Sequence, residues 1–342
     1  RHKKIIMANI LVRSPRFETV TLQSGALSVV LQLWLDGVLR YTIIKNGVAG
    51  DYVTFEIGEL IRDYITQTFN GSYSTATVAT SSGVISTSTK AEQFSGTNGS
   101  GTTLGISGID FFSHIAFNGY GTFMEGANPT ITSPLWMVSK DVIKNGYYVY
   151  YPLNTSGKIP IITNAGSISY KTFATDATSA TLTGADTINI VRVDCTRYGD
   201  GNKITFVNKF GGLQDLWFFL KSVKATTSTK ETYSANTIST STGSATYSVN
   251  APTKNVFNKT ANQKIRLSSG YYPEGANPFF EELLLSDQVW LTQPDPYDPS
   301  TEQVVPVIIS TSSFTYKTSL NDRLIEYTME FDMAFDYINN VR

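Results

Sequence analysis

Ser28-Val29-Val30-Leu31-Gln32-Leu33-Trp34-Leu35-Asp36-Gly37-Val38-Leu39-Arg40-Tyr41-Thr42-Ile43-Ile44 places Val29, Leu31, Leu33 and Leu35 at every second position before Asp36-Gly37. Leu39, Tyr41 and Ile43 resume the same period after it. Successive side chains of a strand point to opposite faces, so a period of two reads as a strand with one buried face. Asp-Gly supplies the left-handed residues of a tight hairpin turn. Val20, Leu22 and Leu27 extend the alternation upstream, and Asn46-Gly47 marks a second turn. The next pattern differs: Ile57, Leu60, Ile61, Tyr64 and Ile65 recur at the spacing of a short amphipathic helix.

A longer regularity organises the chain. Glu-Gly-Ala-Asn-Pro occurs at residues 125–129 and again at 274–278, each time after a Gly-Tyr, Gly119-Tyr120 and Gly270-Tyr271. Downstream, Ile159-Pro160-Ile161-Ile162 and Ser169-Tyr170-Lys171-Thr172 are echoed by Val305-Pro306-Val307-Ile308 and Thr315-Tyr316-Lys317-Thr318. A period near 150 residues is too long for a solenoid unit and reads as a duplicated domain. Within each motif, Gly supplies unusual backbone angles, and Asn-Pro predicts an extended or turn geometry rather than a ligand site.

Composition supports β structure. Tyr and Phe number 19 each against 5 Met, and only 16% of residues are charged. Aromatic and β-branched side chains fit the pleated surface. The net charge of −1 provides no electrostatic footprint for nucleic acid or an anionic membrane. Lys203, Lys209 and Lys221 are spread among strands rather than clustered. No stretch reaches the roughly 18 apolar residues of a membrane span. No signal peptide is evident, Met7-Ala8-Asn9 resembles a translation start, and synthesis in a cytoplasm without a membrane anchor is expected. The single cysteine, Cys195, has no intrachain partner and reads as a buried thiol.

Two Ser/Thr-rich excursions, about 70–105 and 222–250, occupy equivalent places in the two halves. The alternation of Thr75-Ala76-Thr77-Val78-Ala79-Thr80 predicts β-hairpin arms, which need something to pair with. Residues 188–193 and 204–207 read as strands, with a turn at 198–202 between them, and 213–220 is a dense aromatic block. Phe279 to Leu285 predicts a helical turn. Residues 324–335 put acids on one face and Ile325, Tyr327, Met329, Phe331 and Met333 on the other, a half-buried strand. The expected fold is all-β: two related β-sandwich-like domains from an internal duplication, each with a short helix and a long Ser/Thr-rich arm. The domains are 1–175 and 186–342, split near 176–186.

Catalytic chemistry finds little support. His2 and His114 form no zinc-type pair, and His114 reads as a polar residue near a core edge. Glu281-Glu282, Glu125 with Asp141, and the acids of 324–335 are the carboxylates that glycosidase-type chemistry would use. Solvated charge and turn structure account for them more simply. No phosphate-binding glycine loop is present; Gly99-Ser100-Gly101 lies in low-complexity sequence. No catalytic, cofactor-binding or metal residue is assigned, and no cofactor is expected.

Phe206-Val207-Asn208-Lys209-Phe210-Gly211-Gly212 through Trp217 resembles a pattern of virion structural proteins (collar, ring or tail) of tailed bacteriophages infecting Bacteroidota, including crAss-like phages. Val289-Trp290-Leu291, Val305-Pro306-Val307-Ile308-Ile309, Tyr316-Lys317-Thr318 and Leu324-Ile325-Glu326-Tyr327-Thr328 are similar to it as well. The likeness covers residues 203–336. It implies a non-enzymatic neck, collar or tail component built symmetrically from many copies, whose partners are itself and other virion proteins and whose location is the virion. It carries over no functional residues. A receptor- or glycan-binding tail adhesin is the alternative expectation, and a polysaccharide-degrading tail enzyme the third.

Overall fold

The computed structural model describes residues 9–73, 83–106, 112–131, 135–141, 143–163, 166–182, 186–194, 201–240, 243–295, 297–298, 300–313, 315–317 and 324–338. They form mostly antiparallel β-sheet with few helices. Asp36 (φ 48°) and Gly37 (φ 75°) both take left-handed angles, so the Ser28–Leu35 and Val38–Asn46 strands close as the predicted hairpin. Val29, Leu31, Leu33 and Leu35 are at most 1% exposed. Their cover is the Phe17–Thr21 and Tyr52–Glu56 ribbon together with the short helix Gly58–Arg62, which contributes Val20, Phe55, Ile57 and Ile61 to the same apolar cluster.

The other edge of Ser28–Leu35 corrects one expectation. Strand Val84–Phe94 lies in the middle of this first sheet, paired with Ser28–Leu35 on one side and Phe112–Phe117 on the other. Its alternate residues are buried, so residues 84–94 of the 70–105 excursion are core and not an arm, while residues 95–105 are more exposed. Polar residues bury here because the sheet satisfies their backbone and several of their side chains find partners, Thr89 Oγ1 excepted among the described residues. Gln93 illustrates this: it accepts from Gln23 N at 2.8 Å and donates to Thr21 O at 2.9 Å. The 75–80 alternation lies outside the described residues.

In the second half, Leu213–Phe218, Asn202–Val207, Val289–Pro294, Glu302–Ile309, Thr328–Met333, Lys254–Ser268 and Ser222–Ser234 follow one another across a seven-stranded sheet. Thr328–Met333 buries Met329, Phe331 and Met333 on its predicted apolar face. Helix Asn277–Leu284 packs on this sheet through Phe280, edge-to-face with Phe218 at 6.1 Å and Tyr272 at 5.3 Å. Strand Ile188–Val193 is not the hairpin partner of Asn202–Val207. It runs parallel to Gly146–Pro152 in a separate four-stranded sheet; residues 195–200, with Cys195 and most of the predicted 198–202 turn, lie outside the described residues. One apolar cluster contains residues as far apart as Trp136, Ile190, Phe279 and Met333, so buried packing continues across the 176–186 stretch.

The two copies of the five-residue motif fold differently. The first is a turn: Thr122 and Glu125 form a capping box, Gly126 has φ 77° and ψ −169°, and Asn128 has φ 57°. In the second, Glu274–Ala276 is a 3₁₀ turn running into the helix. There Asn277 takes helical angles (φ −48°, ψ −45°) directly before Pro278, against the extended or turn geometry expected of Asn-Pro. Its side chain is held at both ends, donating to Lys317 O at 3.1 Å and accepting from Tyr327 OH at 2.6 Å. The downstream echoes also part. Gly157–Ile162 pairs with Ile168–Phe173 as a hairpin, whereas Glu302–Ile309 pairs with Val289–Pro294 and Thr328–Met333.

Candidate functional site

The arm of residues 222–268 is the most conspicuous surface feature. Ser222–Ser234 pairs with Lys254–Ser268 in a long antiparallel ladder with one register shift between Glu231 and Thr232, and a second small pair, Ile238–Ser239 with Thr246–Tyr247, lies towards its tip. At about 3.4 Å per residue the thirteen residues of Ser222–Ser234 span roughly 45 Å, and all are exposed. The arm carries apolar side chains in the open: Val256, Tyr233 facing Phe257 at 6.3 Å, Tyr247 and Val249. Ser222–Ser234 is also the edge strand of the seven-stranded sheet, and no strand among the described residues pairs with its outer side. The predicted second arm is thus present and extends past its expected end at 250.

Of the sequence-predicted carboxylates, Glu125 and Glu282 are joined through Lys209. Asn208 is fully buried and folds the Phe206-to-Gly212 turn by accepting from Phe210 N at 3.1 Å and Gly212 N at 3.0 Å. This turn docks on the first Gly-Tyr: Tyr120 N donates to Lys209 O at 2.8 Å, and a Cβ on Gly119 would stand 2.5 Å from that carbonyl. Lys209 then joins two acids. Its Nζ lies 2.5 Å from Glu125 Oε1, and its backbone N donates to Glu282 Oε2 at 3.2 Å. Ser139 Oγ donates to the other Glu282 oxygen. Burial pushes the Glu282 carboxyl up to about 7, against the opposing pull of Ser139 and Lys209. At Glu125, burial is outweighed by Lys209 and the Thr122 N–H, which leave its pKa lowered.

Glu281 accepts from Tyr316 OH. Asp141 does not meet Glu125. Its Oδ1 accepts from Ile143 N at 2.9 Å and Lys144 N at 3.0 Å, while its carboxylate lies against Gly275 of the second motif. On Thr328–Met333, Asp332 pairs with Lys264 at 3.2 Å and Glu330 with Arg266 at 3.8 Å, solvent-exposed cross-strand ion pairs on the acidic face expected of this segment. His114 is 3% exposed, deeper than the core edge expected of it, with Nε2 3.8 Å from Glu18 Oε1. His2 lies outside the described residues. Among the described residues no group of three or more His, Cys, Asp or Glu side chains is placed to hold a metal ion, and no helix is long and apolar enough to cross a membrane.

A second polar centre went unread in the sequence. Asp215 is buried on the Leu213–Phe218 strand, where Thr205 Oγ1 and Tyr73 OH both donate to its Oδ1, the first at 2.7 Å. Burial raises its pKa, opposed by Lys203, Tyr73 and Thr205. Tyr73 arrives from a distant part of the chain, so no local spacing advertises the contact. The one available signal was Asp215 itself, a charge inside an apolar block.

No family model, no curated protein and no solved structure matches this chain. Its likeness to phage virion proteins therefore rests on the quoted sequence segments alone.

Proposed function

We propose that this chain is a non-enzymatic structural protein of a tailed-bacteriophage virion, a neck, collar or tail component that assembles with copies of itself and with neighbouring virion proteins. The observation that carries the reading is the exposed arm. A two-stranded ribbon is marginal alone in water, and this one shows apolar side chains and an open edge over its whole length. Laid against a neighbouring subunit, it would gain both ladder hydrogen bonds and apolar burial. The placement in a virion comes from the sequence resemblance.

The same reading holds that residues 1–175 and 186–342 descend from one duplicated β unit of sandwich type. The ordered recurrence of motifs supports it, and the different backbones of the two copies reflect divergence after duplication. In this scheme the described arm lies in the second copy.

The arm is tested by trimming it. Removing residues 231–258 and joining Lys230 to Lys259 through Asn-Gly leaves the rungs that support Thr328–Met333 in place. The full chain is expected to form a ring-sized oligomer in mass photometry, alone or with virion partners. The trimmed chain is expected to keep its circular dichroism and thermal unfolding but to remain monomeric. Equal assembly by both chains would remove the arm from the interface. Absence of the protein from purified virions by immunogold labelling would remove the virion assignment.

A further inference from the structure

A cleft of about 310 Å³ opens between the Asn202–Val207 and Leu213–Phe218 hairpin, the start of Gly157–Ile162 and the segment ending at Tyr73. Lys203 pairs with Trp217 and Thr205 with Asp215 across the two strands, which puts all four side chains on one sheet face. Tyr73, Lys158 and Glu302 complete the polar and aromatic lining. We propose that this cleft binds a neutral sugar ring.

The side chains present match that ligand in kind and in charge. Half-buried Trp217 lines the cleft and can present its ring to the C–H face of a pyranose, beside the edge of Tyr73, whose ring packs on Phe69 and Tyr170. Lys203 Nζ lies 6.0 Å from the Trp217 ring and Lys158 Nζ 5.4 Å from the Tyr73 ring. Neither ammonium has an ion-pair partner among the described residues. A weak cation–π contact at the surface is readily exchanged for hydrogen bonds to hydroxyl or ring oxygens. Both hydroxyls that hold Asp215 end on Oδ1, and Oδ2 takes no bond among the described residues, so it stays available to accept from a ligand hydroxyl. Exposed Glu302 supplies further acceptors at the rim. Two lysines against two carboxylates give no net formal charge, so the cleft offers an anion no attractive field but offers a polyol donors and acceptors together. Its volume falls at the small end of the roughly 300–1,000 Å³ of ligand pockets, which suits a short saccharide. The surface is separate from the arm, so the two assignments stand or fall independently.

Saturation-transfer NMR on the full chain tests this with the methyl glycosides of glucose, galactose, mannose and N-acetylglucosamine, and with glucuronate as the anionic control. At least one neutral glycoside is expected to receive saturation, and its affinity to fall at least about tenfold in both Trp217→Ala and Lys158→Ala. Should Trp217→Ala fail to fold, Lys158→Ala and Glu302→Ala, both at the rim, decide in its place. Saturation of glucuronate alone, of no probe, or of a glycoside whose affinity survives these substitutions would overturn the proposal.

Discussion

Gly275→Ala is expected to destabilise the fold by about 3 kcal/mol or more, because a Cβ there would stand 1.9 Å from Asp141 Oδ2. Asp141 cannot readily swing away, being 1% exposed and held by the Ile143 and Lys144 N–H groups. Gly126 occupies the same place in the first motif but is required for another reason. Nothing lies within 4 Å of its would-be Cβ, while φ 77° with ψ −169° belongs to a region only glycine occupies comfortably. Gly126→Ala should therefore cost only about 1–2 kcal/mol, since an exposed turn can relax. A double-mutant cycle separates the two causes. Asp141→Ala should relieve part of the Gly275→Ala cost, a coupling of about 1–3 kcal/mol, and leave the Gly126→Ala cost unchanged. Chemical unfolding midpoints measure all of these, and a Gly275→Ala protein as stable as Gly126→Ala would refute the steric account.

Stability should also fall between pH 5 and pH 8 through Glu282. Its folded pKa of about 7 lies above the ordinary 4.5, so in this window the native protein retains a proton that the unfolded chain has released. The stabilisation from that proton is complete below pH 4.5, declines as pH rises, and is lost above about 7. A shift of this size in a buried carboxyl corresponds to about 3 kcal/mol at most. Glu282→Gln imitates the protonated form: its oxygen can accept from Lys209 N and its amide can donate to Ser139 Oγ. The variant should lose this component of the pH dependence and be more stable than the parent at pH 8 by about 1–3 kcal/mol. Asp215, also raised by burial, acts in the same direction in both proteins, so the difference between them isolates Glu282. Parallel stability curves for parent and variant from pH 5 to pH 8 would show that Glu282 titrates normally.

Much of the local structure was legible in the sequence. The Asp36-Gly37 turn, the alternation of 29–35 and 329–333 and the apolar spacing of 57–65 each report a neighbour within a few residues, and the structure realises all three. The two hydroxylated stretches, alike in sequence, part in the structure. Thr87 and Thr89 are buried at 1% and 0%, whereas the equally hydroxylated Ser222–Ser234 stands wholly in solvent. Both alternate as strands should; which of them gains two neighbouring strands and a covering layer is decided by residues far along the chain. The site followed the same division. Glu125 and Glu282 were visible as carboxylates, but their link through Lys209 needed the Asn208 turn to dock on Gly119.

By itself, then, the sequence determined strand periods, turn chemistry and the order of a repeated plan, since these depend on alternation and on the conformational range of residues such as Gly37. Only the tertiary structure decided what the repeated Glu-Gly-Ala-Asn-Pro does. Identical residues make a left-handed turn at Gly126 and start a helix at Asn277, because the second copy lies on Asp141 and is gripped by Tyr327 while the first is closed locally by Thr122 and Glu125. Five residues hold too little free energy to select one backbone against several kilocalories per mole of surrounding packing and hydrogen bonding, so the surroundings choose.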